Sequence, residues 1–152
     1  MNEKKEKKMK LRQMLFKDLE AVYAIECESF STPWSIEAMK KELCNPLAYY
    51  VVIEKEEQVI GYGGLWTVGD EGEIINIAVK KDYRGQGIGK ALLEEILAYA
   101  KLKKVVQVSL EVRKSNAIAQ QLYKHFGFKE IAVRKGYYSE PKEDALIMQL
   151  LI

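Results

Sequence analysis

The sequence predicts an α/β fold, α+β by connectivity, in which a mixed central β-sheet of about seven strands is flanked by about four helices. Three observations carry this. The periodic segments follow one another as β-α-α-β-β-β-α-β-α-β-β. Three strands in succession before the third helix exclude a simple doubly wound repeat and call for a mixed sheet. Finally, the apolar, β-branched run Ile74, Ile75, Ile77, Ala78, Val79 reads as a buried strand. It passes through Arg84-Gly85-Gln86-Gly87-Ile88-Gly89 straight into a helical pattern, and the chain is organised around this junction.

The elements follow in order. Residues 9–16 (MKLRQMLF) form a first strand with Met9, Leu11, Gln13 and Leu15 on one face. Asp18 N-caps a helix to about Phe30 that carries Leu19, Val22, Tyr23 and Glu26 on neighbouring turns. Pro33 breaks the segment 30–35, and Ser35 caps a second helix through Leu43, ended by Asn45-Pro46. Ala48 to Glu54 and Val59 to Val68 are strands around the polar turn 55–58. Gly61, Gly63 and Gly64 inside the second of them predict a bulge or the close approach of another backbone. Gly69-Asp70-Glu71-Gly72 is a turn, and Glu73 to Val79 is the central strand. The third helix buries the stripe Ile88, Leu92, Ile96, Tyr99. Val105 to Val112 is a strand. Ser115 caps a fourth helix with Ile118, Ala119, Leu122 and Phe126 inward and Gly127 at C′. Phe128 to Val133 and Ala145 to Leu151 close the fold, joined by a Tyr-rich loop over 136–144.

Composition bounds the function. The chain has 152 residues with 48% hydrophobic and 30% charged side chains, enough for one globular domain over 9–152. Net charge is +2, but residues 1–10 alone carry +3, so the rest is close to neutral. Residues 1–8 read as a basic, mobile, solvated tail, and no broad basic face of a dedicated nucleic-acid binder is visible. No apolar run reaches the length of a membrane span and no signal-peptide core is present, so a cytoplasmic location without membrane contact is expected. Cys27 and Cys44 form no disulfide framework and read as core packing, and with one histidine, His125 at a helix end, no metal site is expected.

The strand, glycine turn and helix start together form an anion site. Glycines let a ligand approach the backbone, successive N–H groups point outward, and the helix dipole adds positive potential. The glycines fall at 85, 87 and 89, with Lys90 followed by Ala91. That fits neither the dinucleotide spacing G-x-G-x-x-G nor the P-loop G-x-x-x-x-G-K-[ST]. It resembles the R/Q-x-x-G-x-G/A signature of the GNAT acyltransferases, which bind the pyrophosphate of acetyl-coenzyme A; Arg84, Gly87 and Gly89 fill its fixed positions. Further segments resemble one subfamily, the RimI-type enzymes. These are Phe30-Ser31-Thr32-Pro33-Trp34-Ser35, the run Leu110 to Ala117 (LEVRKSNA), Leu122-Tyr123, Gly127-Phe128 and Arg134-Lys135-Gly136-Tyr137-Tyr138.

The resemblance runs from about residue 9 to the end and implies the GNAT fold. It further implies that Ile77, Ala78 and Val79 offer backbone groups to the pantetheine arm. Arg84, Gly85, Gln86, Gly87, Ile88, Gly89 and Lys90 would cradle the pyrophosphate, and Asn116 would bond the cofactor. Glu111 would be the general base and Tyr123 the general acid, with Pro33, Trp34, Tyr137 and Tyr138 lining the acceptor slot. Where the family often has Gln-Arg-Arg before Gly-x-Gly, this chain has Arg-Gly-Gln, one side-chain cation fewer. Taken alone, Glu111 reads as a solvent-facing strand charge and Tyr123 as helix core; the resemblance gives them roles.

The activity so implied is transfer of the acetyl group of acetyl-coenzyme A to the N-terminal alanine amine of the ribosomal small-subunit protein S-18, with no metal. The alternatives are a GNAT enzyme for a lysine side chain, a polyamine or an aminosugar, and an acetyl-coenzyme A sensor without catalysis. A free α-amine titrates near 8 and a lysine near 10.4, so deprotonation at pH 7 costs roughly 1 kcal/mol for the first and about 4–5 for the second. A single carboxylate base suits the α-amine better.

Overall fold

The computed structural model describes residues 8–152; apart from Lys8, the predicted basic tail lies outside the described residues. The strands are β1 (Met9–Gln13), β2 (Ala48–Lys55), β3 (Gln58–Val68), β4 (Glu71–Val79), β5 (Gln107–Arg113), β6 (Lys129–Ser139) and β7 (Lys142–Leu151). The helices are α1 (Leu19–Ser29), α2 (Ile36–Leu43), α3 (Ile88–Leu102) and α4 (Ala117–His125). One sheet holds all seven strands in the order β1-β2-β3-β4-β5-β7-β6. Every neighbouring pair is antiparallel except β4 with β5. The predicted mixed sheet and its four helices are therefore present.

Two apolar layers sandwich the sheet. On one face α1 and α2 bring Leu19, Val22, Ile25 and Met39 against Tyr50, Val52, Tyr62 and Ala78. On the other, Ile88, Leu92, Leu93 and Ile96 of α3 and Tyr123 of α4 pack against Val51, Ile53, Ile60, Ile74, Leu110 and Val112. Leu92, Leu93 and Ile96 have no exposed surface, and each such burial stabilises the fold by roughly 1.5–3 kcal/mol. Of the stripe predicted for α3, Ile88, Leu92 and Ile96 are buried and Tyr99 is half-buried against the same core. Gly63 of β3 makes room for this stripe, since a Cβ there would lie 2.8 Å from Ile96, and on the opposite face a Cβ on Gly64 would lie 2.2 Å from the Tyr50 ring. Side chains come nearest to these glycines, and the predicted bulge lies between Gly64 and Leu65.

Several local expectations need correction. The first strand ends at Gln13, and Met9, Leu11 and Leu15 are 40%, 38% and 50% exposed while Met14 is buried, because β1 is an edge strand covered on one side only. Asp18 occupies the N-cap position of α1, but its side chain makes no capping bond there. Its carboxylate accepts the Leu15 N–H and a two-pronged bond from Arg12 at 2.8 Å, and Arg12 also reaches Glu54. In α4 the cap is Asn116, whose Oδ1 accepts from Ala119, not Ser115. Ile118 of that helix is 86% exposed and Tyr123 turns inward instead. The predicted Tyr-rich loop at 136–144 is the distal part of a long β6–β7 hairpin, irregular between Arg134 and Tyr138, with Gly136 at φ +63°. Cys27 and Cys44 are exposed thiols, not core. Ser35 caps α2 by accepting from Ala38, as expected.

Candidate active site

The site begins with a break in the sheet. β4 pairs with β5 only over Glu71–Glu73 against Gln107–Ser109. The cause lies on the other edge of β4, where the register with β3 shifts between Gly64 and Leu65 and leaves Ile75 as an extra residue. A bulge of this kind bends its strand and raises the local twist. Beyond Glu73 the two parallel strands diverge, opening a cleft of about 510 Å³.

The edge of β4 facing this split carries free peptide groups. The Lys80 N–H donates to the Ile60 carbonyl at 2.8 Å. Residues directly opposite in an antiparallel ladder alternate between bonded and non-bonded pairs. Ala78, opposite Tyr62, therefore spends its groups on β3, whereas Ile77 and Val79 turn theirs toward the split. The Val79 carbonyl is met by the Arg84 Nε at 2.9 Å. Of the segment Ile77, Ala78 and Val79, the first and third turn their peptide groups to the split and Ala78 turns its own to β3.

The two candidate catalytic side chains lie on opposite faces of the sheet. Leu110 and Val112 of β5 point into the α3–α4 core, so Glu111 between them projects to the α1–α2 face. Its carboxylate lies 3.5 Å from the Arg134 guanidinium. The Tyr137 hydroxyl hydrogen-bonds to Glu111, which together with burial pushes the Tyr137 pKa up. Glu73, across the split, is raised by burial and by the charge of Glu111. Tyr123 comes from α4 on the opposite face, buried, with its ring edge-on to Phe128 at 5.6 Å. Burial raises its pKa well above the ordinary phenol value, helped by nearby Tyr138. Among the described residues its hydroxyl has no hydrogen-bond partner, although it lines the cleft. A buried donor of this kind costs free energy until something accepts from it.

The glycine turn lies at the mouth on the α3 side. Gly85 and Gly87 have φ of +79° and +81°, which only glycine adopts without strain. Gly87 occupies the N-cap of α3 and offers no side-chain acceptor, leaving the first N–H groups of the helix open. A positive-φ turn running into an uncapped helix start has the features that anion sites use. Arg84 is engaged elsewhere, on Val79 and on Ser29 Oγ at 3.1 Å. The loop from Arg84 through Lys90 and Val79 lie beside the cleft rather than in its lining, whereas Ile77 and Asn116 are part of the wall. Among the described residues no three His, Cys, Asp or Glu side chains are grouped to hold a metal ion.

On the other face, the loop between α1 and α2 and the β6–β7 hairpin form two walls. Trp34, Tyr137 and Tyr138 line them; Pro33 sits in the same loop but off the lining. The tyrosine rings meet edge-on at 5.0 Å, and the Arg113 guanidinium stacks 4.2 Å above Tyr138. Arg113 also donates to the Glu140 and Pro141 carbonyls and to Glu143. Ser31 Oγ donates to the Glu140 carbonyl, so the walls touch and roof the cleft. Burial, and next the Glu111 charge, push Tyr138 up to about 12.

Residues 19–128 match the model of the acetyltransferase (GNAT) family. The chain belongs to the GNAT family. A Bacillus subtilis protein with the provisional name ribosomal protein bS18-alanine N-acetyltransferase is 45% identical over 146 residues, covering 95% of this chain and 97% of that one. A Haemophilus influenzae protein of the same name is 38% identical over 134 residues, covering 86% and 90%. In three dimensions the Escherichia coli ribosomal-protein alanine N-acetyltransferase superposes with a TM-score of 0.88 at 33% identity, over 95% of this chain and 94% of that one.

Within this GNAT cleft the sequence left three side chains without a role. Glu26 is 1% exposed on α1 and accepts from Tyr62, from the Trp34 N–H at 3.1 Å and from Asn76 at 3.5 Å. Its signal was a carboxylate one turn after Val22 on the apolar stripe of the helix. Arg113 lies within the Leu110–Ala117 run, but its bonds to the hairpin depend on the fold of 140–143. Glu73 gave no signal, because the split that brings it to Glu111 is a tertiary event.

Proposed function

We propose that the chain is an acetyl-coenzyme A-dependent N-acetyltransferase that modifies the α-amine of an N-terminal alanine, that of ribosomal protein bS18. One observation carries the reading. The split between β4 and β5 connects the two faces of the sheet, with a carboxylate on one face and a buried, partnerless phenol on the other. The names carried by relatives of high coverage favour the alanine acceptor. A roofed, aromatic slot against Glu111 suits an extended peptide end, since aromatic rings provide large contact area.

The residues fit the donor: open N–H groups at α3 suit a pyrophosphate, and the free edge of β4 suits an amide-bearing arm. Acetyl-coenzyme A supplies an acetyl thioester. The Ile77 or Val79 N–H, aimed into the split, stabilises negative charge building on the carbonyl oxygen. Glu111 takes one proton from the acceptor ammonium, directly or through water, the amine nitrogen forms its bond to the carbonyl carbon as the carbon–sulfur bond breaks, and the second proton shed by nitrogen as the amide forms passes through water to restore the Tyr123 hydroxyl. Tyr123, held neutral by burial, gives its proton to the departing sulfur from the other face. Asn116, already capping α4 through Oδ1, has its amide NH₂ left for the donor.

Intact-mass analysis of two synthetic peptides tests this. One begins with a free alanine as in bS18; the other has a blocked amine and an internal lysine. One acetyl group added to the first alone is expected. Modification of the second alone overturns the acceptor assignment.

A further inference from the structure

Two charged side chains are fully buried among the described residues, Asp18 and Glu26. Asp18 has Arg12 beside it. Among the described residues no cation lies beside Glu26. Burial pushes its pKa up, and the Trp34 N–H opposes this only in part. A buried carboxyl without a counter-ion is costly and is expected to be fully hydrogen-bonded. Its bonds run to three elements that meet at the cleft. Oε2 accepts from the Trp34 backbone in the α1–α2 loop. Oε1 accepts from the Tyr62 hydroxyl of β3 and from Asn76 at the bulge of β4. Glu26 also lines both the cleft and a void of about 20 Å³ behind it, shared with Trp34, Tyr62 and Asn76.

We infer that Glu26 is a positioning residue for the acceptor: it fixes the α1–α2 loop, and with it the Trp34 wall, to the bulged segment of β4 where the donor carbonyl is held. This rests on the reading of the cleft as an acyl-transfer site. Phe30 and Trp34 also pack on the α1–α2 core, but the Trp34 N–H bond to Glu26 is the polar tie at this point, and the contact from Ser31 lies at the opposite rim, on the hairpin. With the Glu26 acceptor gone, the Trp34 N–H is left without its bond and the loop is free to move away from β4. The acceptor slot widens while the glycine turn, α3 and the Ile77–Val79 edge stay in place. The predicted signature is a defect confined to the acceptor.

Two-substrate kinetics with the alanine-led peptide and acetyl-coenzyme A test this on the parent, Glu26→Met, Glu26→Gln, Trp34→Ala and the double variant Glu26→Met/Trp34→Ala. Methionine fills the volume without an acceptor. Glutamine keeps a carbonyl for the Trp34 N–H and lets its NH₂ donate to the Tyr62 oxygen. For Glu26→Met, KM for peptide is expected to rise about tenfold, the scale of one lost buried hydrogen bond, with kcat and KM for acetyl-coenzyme A held. Glu26→Gln is expected to restore most of the loss. The double variant should be little worse than Trp34→Ala alone, because coupled residues are non-additive. An unchanged peptide KM overturns the inference, and so does a fall in kcat or in donor affinity of similar size. If Glu26→Met does not fold, Glu26→Ala and Glu26→Ala/Trp34→Ala take its place, and an unchanged peptide KM in the single variant, or a double variant whose KM rises by the product of the two single effects, overturns the inference equally. A parent that binds coenzyme A but ignores the peptide refutes the acceptor assignment instead, so the two failures are distinguishable.

Discussion

Replacing Tyr123 with phenylalanine removes one oxygen from a site the fold has prepared for it. The ring sits edge-on to Phe128 at 5.6 Å, and phenylalanine keeps that packing. The hydroxyl has no protein partner among the described residues, so the fold loses no hydrogen bond and stability should change by less than about 1 kcal/mol. Chemistry should suffer far more. Burial holds the Tyr123 pKa well above its ordinary value. The hydroxyl therefore stays protonated across pH 6–9 and is a donor throughout that range. The departing sulfur has a conjugate thiol pKa of roughly 8.5, so a thiolate can leave unaided, but slowly. Loss of general acid catalysis costs about 10²- to 10⁴-fold in kcat, or roughly 3–5 kcal/mol of barrier. Steady-state release of free thiol gives kcat, calorimetry gives coenzyme A affinity and a thermal melt gives stability. The expected pattern is a kcat lower by at least about 10²-fold with the other two held. A phenylalanine variant turning over within about threefold of the parent would refute the assignment.

Other variants probe other parts of the site. Glu111→Gln should depress the rate most at low pH, where more of the acceptor amine is protonated, and a pH–rate profile that overlays the parent's removes Glu111 as the base. Gly87→Val meets no atom within 4 Å, so its effect comes from forcing a β-branched residue to φ +81°. That costs about 1–2 kcal/mol or reshapes the turn, and coenzyme A should bind about tenfold more weakly by calorimetry. Equal affinity counts against the phosphate cradle. Gly64→Ala drives a Cβ to 2.2 Å from a Tyr50 ring that Glu42 holds by its hydroxyl at 2.7 Å. Overpacking of this kind costs about 1–3 kcal/mol, and Tm should fall by roughly 2–4 °C for each. An unchanged melt would mean that the ring moves freely.

Much of this was legible in the sequence because the signals were local. The α3 stripe, the Ser35 cap, the Gly127 turn and the glycine loop each rest on spacings within one segment, and each is present. What escaped was set by distant partners. Asp18 looked like a helix cap, but Arg12 and Leu15 claim its carboxylate. The hairpin over 136–144 looked like a loop because Gly136 and Pro141 punctuate it, and only pairing with β7 shows a strand. Ile118 looked inward by periodicity, yet α4 is rotated so that Tyr123 enters the core. The same holds within the site. The motif residues Glu111 and Tyr123 could be read from the chain, whereas the passage that joins their two faces depends on a bulge at Ile75 and a split between two strands.

That split is the centre of the account, and amide hydrogen exchange reads it residue by residue. Without ligand, the Ile77 and Val79 N–H groups face the split and should exchange fast, while Ala78 and Lys80, bonded to β3, should be slow. Adding coenzyme A should slow Ile77 and Val79 together with the N–H groups of the glycine turn, leaving Ala78 and Lys80 as they were. Protection that appears elsewhere, with Ile77 and Val79 still exchanging freely, would contradict the claim that the donor lies along the open edge of β4.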